Sequence, residues 1–278
     1  MKQVDSKIYT KDYYLNVCLG HEEYQKTKGK VLSKKWEEIL EKLPLKKGMS
    51  VLDLGCGRGD VCFYLAKKGI NVIGIDYSKD AIKLANDVLN LSTQNVRKRI
   101  KFYNQNAKDI DFRKDSFDIV IAFDFFEHLY KEGLEQVMKK VSEILRRKGL
   151  LVIHTEANKL YLDYTHRSYT YPLSSFFIFI NNKLFNKSYP GLPKDPRNEY
   201  HKQQHVNEPT IFYLRDLFSR YSFNGKIIQN MGLLKPVFKW KDRVYNFIVC
   251  LHPLSLFFPL NIFFTTDYTC IMKNNKKV

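Results

Sequence analysis

A glycine-rich turn flanked by carboxylates has the clearest chemical meaning in this sequence. Residues 51–60 read VLDLGCGRGD, an apolar run with an Asp inside it and then Gly at every second position. Glycine lets a backbone turn with positive φ and lets a ligand approach closely. A second apolar run ends at Asp76, seventeen residues after Gly59. A strand, a glycine turn and an acid about 20 residues on predict an adenosine site in which Asp76 accepts hydrogen bonds from the ribose hydroxyls.

The acidic residues of the turn indicate which adenosine-bearing cofactor would bind. A dinucleotide fingerprint spaces its glycines G-x-G-x-x-G and aims a helix N-terminus at pyrophosphate. Here Asp53 lies within the turn and Asp60 directly follows it. Negative charge at these positions would repel pyrophosphate and suits a ligand that carries an ammonium and a sulfonium group. The turn therefore disfavours a nicotinamide dehydrogenase, and it resembles motif I of class I S-adenosylmethionine-dependent methyltransferases.

This resemblance covers residues 33–155 well and residues 205–272 loosely, and it implies a cofactor site. It places Asp53 and Gly55 at the methionyl amino group, Gly57 beside the methionine chain and Tyr77 against the adenine face. Asn106 stands where the family usually has Asp, and its amide oxygen can still accept a bond from the adenine amino group. The full set that the resemblance implies for S-adenosylmethionine is Asp53, Gly55, Gly57, Gly59, Asp76, Tyr77, Asn106, Ala107, Phe123 and Asp124.

Three histidines are candidates for a general base that would act on a hydroxyl acceptor. His128 follows a predicted strand over 117–123, and His154 ends another over 150–155. Ligands of open α/β sheets bind at such strand ends. His205 follows a long insertion, and imidazole titrates in the range that suits base catalysis. Each of the three could equally be a structural residue, and the sequence does not choose among them.

A carboxylate-x-x-Glu-His element raises the alternative of a divalent metal. Asp124, Glu127 and His128 would share one face of a helical turn, and together they could hold Mg²⁺. The element is similar to one in ubiquinone-biosynthesis O-methyltransferases and in terminal 2′-O-methyltransferases of small RNAs, where a later His completes the site. Residues 205–210 resemble that later segment. Because the first ligand here is the shorter Asp, and Glu-His-Leu also occurs in metal-free members, the main prediction includes no metal.

Alternating strand and helix patterns predict an α/β fold with a doubly wound, seven-stranded, mostly parallel sheet of Rossmann-like methyltransferase type. The helix after the fourth strand is predicted to end at Gly149, and the last two strands are placed at 224–231 and 262–272. An aromatic, proline-containing stretch is too long for a plain connection and predicts a lid inserted between strands five and six. The predicted organisation is an N-terminal helical arm or cap over 1–48, a cofactor-binding core over 49–155, the lid or substrate insertion over 156–206, and a C-terminal completion of the sheet over 207–278.

One segment of that C-terminal part is nearly all apolar. Residues 247–264 follow a basic stretch and are interrupted by Pro253 and Pro259, which makes a membrane-spanning helix a poor fit. Three interpretations stay open: the segment lies in a membrane interface, closes over an apolar substrate, or packs as a strand pair in the core.

Composition sets wider bounds. The net charge of +17 permits anionic partners, namely nucleic acid, phosphorylated substrates or a membrane surface, but the lysines are scattered. Five cysteines without metal-ligand spacing, and an N-terminus without a signal-like apolar run, favour reduced thiols in a cytoplasmic protein.

The sequence thus predicts an S-adenosylmethionine-dependent enzyme that O-methylates a small-molecule, glycan-linked or lipid-linked acceptor, with peripheral membrane contact as an option. The alternatives are a metal-dependent RNA 2′-O-methyltransferase, for which no appended RNA-binding domain is evident, and a non-catalytic cofactor-binding protein.

Overall fold

Seven strands within residues 2–276, the part of the chain that this computed structural model describes, form one sheet. The strands are β1 (Ser50–Leu54), β2 (Asn71–Asp76), β3 (Ile100–Asn104), β4 (Phe117–Phe123), β5 (Leu145–Glu156), β6 (Phe223–Asn230) and β7 (Asp267–Asn274). Their order across the sheet is β3-β2-β1-β4-β5-β7-β6, and β7 runs antiparallel to both of its neighbours. The prediction of a doubly wound, mostly parallel, seven-stranded sheet is therefore confirmed.

Helices cover both faces of this sheet and begin where the sequence supplies caps. Ser78 Oγ accepts a hydrogen bond from Ala81 N at 3.2 Å, and Thr210 Oγ1 accepts one from Tyr213 N at the same distance. The α-helices are α1 (Lys11–Asn16), α2 (His21–Thr27), α3 (Lys34–Leu40), α4 (Asp60–Lys67), α5 (Lys79–Asn90), α6 (Gln94–Arg97), α7 (Lys131–Ile144), α8 (Tyr171–Leu184), α9 (Glu199–Gln204), α10 (Ile211–Arg220), α11 (Trp240–Cys250) and α12 (Leu260–Phe264).

The central strands are buried on both faces, as expected for a parallel sheet. Alternate residues of β4 enter different apolar layers: Val120 packs with α7 and α10, and Ile121 packs with α3 and α4. Each such side chain that leaves water stabilises the fold by about 1.5–3 kcal/mol. The two layers hold β1, β2 and β4 rigidly, so their carboxyl ends form a fixed platform.

Two predicted boundaries are wrong. Helix α7 ends at Ile144 and not at Gly149, because β5 already begins at Leu145 with an irregular register against β4. A Cβ on Gly149 would lie 2.9 Å from the backbone oxygens of Arg146 and Asp118, so glycine serves close strand packing there. The last strand was placed at 262–272 but begins at Asp267, since the apolar run before it forms α12. Short apolar runs do not distinguish a buried strand from a helix.

The insertion after β5 is helical. A π-helical segment over Tyr161–Thr170 continues directly into α8, and α9 follows after an extended stretch. The N-terminal arm packs on α5, where Val4, Tyr9 and Tyr14 cluster with Ala81 and Leu84, and it also meets the insertion, with the Tyr13 ring 6.3 Å from that of Tyr200. Both segments approach the carboxyl ends of the strands, where they can enclose a ligand.

Candidate cofactor and active site

A cavity lies at the carboxyl ends of β1, β2 and β4, where open α/β sheets bind their ligands. The residues assigned to the cofactor by sequence all line this cavity except Gly59. Gly59 is the N-cap of α4 with φ of +81°, and a Cβ there would lie 2.6 Å from Cζ of Phe102. Gly59 therefore shapes the turn and does not line the cavity.

The glycine turn and Asp76 form one hydrogen-bonded unit. Gly57 N donates to Asp76 Oδ2 at 3.0 Å, and Ser78 N donates to Asp76 Oδ1 at 2.8 Å. Gly55 has φ of +70°, and a Cβ there would lie 2.7 Å from the ring of Phe125, so no side chain fits. Burial raises the pKa of Asp76 to about 6 despite these bonds. Each carboxylate oxygen keeps a lone pair for a ribose hydroxyl.

Asp53 supplies a buried carboxyl group on the floor of the cavity. It is 3% exposed, and the Cys62 thiol donates to its Oδ2 at 3.2 Å. Burial raises the pKa of Asp53 to about 7. A cationic group in the cavity would offset the cost of burying this charge. The position thus suits an ammonium group and opposes a phosphate.

Asp60, the other acid of the turn, is paired with the guanidinium group of Arg58 and does not present an unpaired charge to the cavity. The guanidinium of Arg58 contacts Asp60 Oδ2 at 2.7 Å, and the same side chain donates to the backbone oxygens of Leu19, at 2.8 Å, and of Tyr14. Because Asp60 lines the cavity but is paired with Arg58, its part in repelling pyrophosphate is weakened, and the charge argument depends mainly on Asp53 and Asp76. Arg58 instead attaches the N-terminal arm to the glycine turn.

Tyr77, Asn106 and Ala107 line the end of the cavity predicted to hold adenine. Asn106 Oδ1 accepts from Lys108 N at 3.0 Å, and its amide nitrogen donates to Gln3 Oε1 at 3.0 Å. An amide oxygen has two lone pairs, so Asn106 keeps one for the adenine amino group. The geometry is compatible with the role predicted for this residue.

Sequence reasoning missed the aromatic wall that the arm provides. Tyr9, Tyr13 and Tyr14 line the cavity, and so does Trp36, which stacks on Phe123 at 4.6 Å between ring centroids. These residues lie in or beside short helices with no ligand-binding pattern of their own. Only the tertiary fold brings them to the ends of the strands, far along the chain from the residues that they face.

Asp124, His154 and Asp267 form a charged chain beside the cavity, with the fully buried His154 at its centre. His154 Nδ1 lies 2.5 Å from Asp124 Oδ1, and His154 Nε2 lies 2.9 Å from Asp267 Oδ1. Burial lowers the pKa of His154, but the two carboxylates outweigh it and raise the pKa to about 9. The imidazolium in turn holds the pKa of Asp124 below its usual value against the effect of burial. The prediction of His154 as a base does not fit, because both ring nitrogens are already engaged.

His128 lies in the wall of the cofactor cavity. Its Nδ1 lies 2.9 Å from the Tyr9 hydroxyl and 3.3 Å from the Gln204 carbonyl oxygen. Burial lowers the pKa of His128 to about 4, so the ring is neutral at pH 7 and one of its nitrogens carries a free lone pair. Of the three histidines predicted as bases, His128 alone is placed in this cavity.

His205 lies behind His128 and joins a different group. Its ring centroid is 5.0 Å from that of His128 and 4.6 Å from that of His201. Its Nδ1 is buried and has no hydrogen-bond partner within residues 2–276. Ligand atoms of Glu127, His128 and His205 lie within 4.8 Å of one another and could hold a metal ion. His205 therefore contributes to a shared polar cluster, not to the cofactor wall.

The predicted metal set of Asp124, Glu127 and His128 is not brought together as such. Asp124 has φ of +47° and precedes the 3₁₀ turn Phe126–His128, so its carboxylate points to His154 and groups with Glu156. Glu127 is fully buried, where Thr155 Oγ1 donates to it at 2.9 Å and Glu156 N at 3.2 Å. The cluster that could hold a metal ion therefore consists of Glu127, His128 and His205, and Asp124 is not part of it.

A methyltransferase-domain family model matches residues 45–175, the stretch that contains the glycine turn, Asp76, Asp124 and His154. Residues 45–175 are therefore a methyltransferase domain. This match and the fold confirm the resemblance to class I S-adenosylmethionine-dependent methyltransferases that the sequence indicates, and the resemblance implies binding of S-adenosylmethionine. The site fits this methyltransferase cofactor, because a buried carboxyl group faces the predicted ammonium position and Asp76 offers acceptors for the ribose.

Curated relatives of this methyltransferase match over less than half of their own length. The ubiquinone biosynthesis O-methyltransferase of Bradyrhizobium diazoefficiens is 33% identical over 122 residues, which cover 44% of this chain and 46% of the relative. Methyltransferase GfsG of Streptomyces halstedii is 31% identical over 118 residues, covering 42% and 41%. The cyclopropane-fatty-acyl-phospholipid synthase of Escherichia coli is 29% identical over 126 residues, covering 45% and 31%. These relatives therefore do not identify the methyl acceptor of this protein.

Solved structures support the same fold. A putative S-adenosylmethionine-dependent methyltransferase from Listeria monocytogenes superposes with a TM-score of 0.56 at 18% identity, covering 87% of this chain and 98% of that one. The methyltransferase domain of bacterial CtHen1-C gives a TM-score of 0.54 at 16% identity, covering 87% and 96%. At these identities the likeness establishes the methyltransferase fold alone.

Two further cavities lie near the cofactor cavity, on the side of the insertion. They share Lys35, Gly232 and Asp267 in their walls; one reaches His205 and Arg197, and the other reaches Leu256. Lys35 is paired with Glu156 at 3.2 Å and neighbours Trp36, which lines the cofactor cavity.

Proposed function

We propose that this protein transfers the methyl group of S-adenosylmethionine to a hydroxyl oxygen of a small-molecule, glycan-linked or lipid-linked acceptor. The observation that carries the proposal is the neutral imidazole of His128, which lines the cofactor cavity and lies 5.0 Å from His205, a wall residue of the neighbouring cavity. A base that lies between a cofactor cavity and an acceptor cavity is placed to take the hydroxyl proton.

The bound cofactor would supply an electrophilic methyl group, and the protein would align it. In this proposal Asp53 and Asp76 fix the amino and ribose ends of the ligand, while Phe123 and Trp36 exclude water near the reacting atoms. His128 accepts the proton of the acceptor hydroxyl as the carbon–oxygen bond forms. Tyr9 and Gln204 hold its ring in place through Nδ1.

The experiment compares His128→Gln with the matched variant His201→Gln, which alters a neighbouring imidazole that lines the acceptor cavity but not the cofactor cavity. Release of S-adenosylhomocysteine is followed with phenolic, glycan and lipid-linked alcohols. We expect His128→Gln to lower turnover by about 100- to 10,000-fold with little change in cofactor affinity, and His201→Gln to lower it much less. Equal losses in both variants, or binding of NAD in place of S-adenosylmethionine, would contradict the proposal.

A second candidate, RNA 2′-O-methylation with a divalent metal, is supported by one observation. Glu127, His128 and His205 group around a buried Nδ1 of His205 that has no hydrogen-bond partner in the described part of the chain. In this candidate the two histidines hold the ion and neither acts as the base. Activity on RNA that is abolished by a chelator, restored by a divalent cation and lost in His205→Gln would favour this candidate. Chelator-resistant activity on an alcohol would exclude it.

A further inference from the structure

Helix α8 is apolar but buries none of its side chains. Its sequence, YPLSSFFIFINNKL, carries no acid, and its residues Phe176, Phe179 and Leu184 are 56%, 60% and 69% exposed. Helices in water are stabilised mainly by packing an apolar face against the rest of the protein. Phe176, Phe179 and Leu184 therefore form an exposed apolar face on a helix whose other apolar side chains are half-buried, and this face is suited to an apolar partner.

A second exposed apolar surface lies in and after α11. Trp240 and Phe247 are 69% and 58% exposed, and Phe257 and Phe258, before α12, are 66% and 78% exposed. The core strand pair, one of the three interpretations of this segment, is wrong, because residues 240–264 form two helices and a 3₁₀ turn. Exposed aromatic side chains in this number mark an interaction site.

The two surfaces are attached to one another through the π-helical segment Tyr161–Thr170, which leads directly into α8. Thr165 Oγ1 donates to the Phe263 carbonyl oxygen at 2.7 Å, and the Tyr169 ring lies 5.7 Å from that of Phe264. The Tyr169 hydroxyl also donates to the Ile248 carbonyl oxygen in α11. The insertion and the C-terminal apolar segment therefore form one structural unit.

The charge of this unit is strongly positive. Between Asp163 and Asp195 the chain has no acidic residue and carries Arg167, Lys183, Lys187 and Lys194. Between residues 231 and 266 the only acid is Asp242, against Lys235, Lys239, Lys241 and Arg243. A basic surface with exposed aromatic groups is complementary to anionic lipid headgroups above an acyl layer.

We infer that α8 and the exposed aromatic groups of residues 240–258 dock this protein on the surface of an anionic lipid bilayer. The phenylalanines enter the interface, and the lysines and arginines contact the headgroups. No helix within residues 2–276 is both long and apolar enough to cross a bilayer, so the contact is made from one side. A second copy of the chain is a poorer partner, because it would bring two basic surfaces together. This inference does not depend on the identity of the methyl acceptor.

Tryptophan fluorescence tests the docking directly. The chain has two tryptophans: Trp36 is 7% exposed beside the cofactor cavity, and Trp240 is 69% exposed on the proposed surface. We expect vesicles of phosphatidylglycerol and phosphatidylcholine to shift the emission of the full chain to shorter wavelength, and Trp240→Phe to remove the shift. Persistence of the shift in Trp240→Phe would overturn the placement of this surface.

Co-sedimentation with the same vesicles measures the binding. Phe257→Ser with Phe258→Ser should weaken binding by about 100-fold, since each aromatic group that enters the interface contributes about a factor of ten. Leu91→Ser is the matched control, because Leu91 is 81% exposed but lies at the end of α5, outside both surfaces. Far-ultraviolet circular dichroism on each variant shows that it is folded.

The ionic contribution is tested by Lys239→Glu with Lys241→Glu and by salt. Binding should fall steeply from about 0.05 M to about 0.5 M salt, and it should be weak on pure phosphatidylcholine. Binding that is equal on both vesicle types, a failure of the wild type to sediment, or a dimer in solution whose formation is abolished by the Phe257 and Phe258 changes would overturn the inference.

Discussion

Replacement of His154 by Gln tests whether the chain of Asp124, His154 and Asp267 carries a buried positive charge. His154 is fully buried, and its two nitrogens lie 2.5 and 2.9 Å from carboxylate oxygens. Gln keeps one hydrogen bond at most and removes the charge between two acids. Breaking a buried ion pair in this way costs about 3–5 kcal/mol, because it leaves a carboxylate uncompensated.

The dependence of this loss on pH gives a sharper test. The pKa of His154 in the folded protein, about 9, lies above its ordinary value of 6.5. Because this pKa is raised, protonation of His154 stabilises the folded state. The stabilisation is fully present below about pH 6.5 and is lost as the pH rises through about 9. The gap between 6.5 and about 9 corresponds to about 3 kcal/mol of stability.

Urea unfolding of the wild type and His154→Gln at about pH 6 and about pH 10 measures this difference. We expect a loss of about 3–5 kcal/mol at the lower pH that becomes much smaller at the higher pH. His21→Gln is the control, because the His21 ring makes a single hydrogen bond within the described residues, with the Cys18 carbonyl oxygen at 3.2 Å. A loss that is the same at both pH values would refute the assignment of an imidazolium.

Three further predictions concern the cofactor site and are tested by calorimetry with S-adenosylmethionine. Gly55→Ala should weaken binding strongly, because the new Cβ would lie 2.7 Å from the ring of Phe125. Gly48→Ala is the control, because Gly48 has a similar φ of +87° and no atom within 4 Å of the position of its Cβ. The control should lose about 1–3 kcal/mol of stability and no affinity. The affinity of the wild type for S-adenosylmethionine should rise with pH through about 7, because ionised Asp53 pairs with the ammonium group of the ligand. Asp53→Asn should flatten this rise. A wild-type affinity that does not change with pH would contradict the pairing. Arg58→Met should loosen the N-terminal arm and weaken cofactor binding several-fold, because Arg58 donates to the backbone oxygens of Tyr14 and Leu19. Trypsin should then cleave faster within residues 1–30. An unchanged rate of cleavage would show that Arg58 does not hold the arm.

The cofactor half of the site could be predicted from sequence because its chemistry is local. The glycine turn and Asp76 lie within 26 consecutive residues, and a strand, a turn and a helix are enough to bring them together. Positive φ at Gly55 and Gly57 and the hydrogen bond from Gly57 N to Asp76 follow from that short segment. The same local periodicity predicted the order and type of the first five strands.

The other half was decided by contacts between distant parts of the chain. His154 Nε2 meets Asp267, 113 positions later, because β7 enters the sheet antiparallel to β5, and no local pattern encodes that pairing. His128 meets Tyr9 of the arm and the backbone of Gln204 in the insertion, which lies 76 positions away. Sequence thus determined which adenosine cofactor suits this protein, since that depends on one turn. Tertiary structure decided which histidine is neutral and which is charged, since that depends on what each imidazole is buried against.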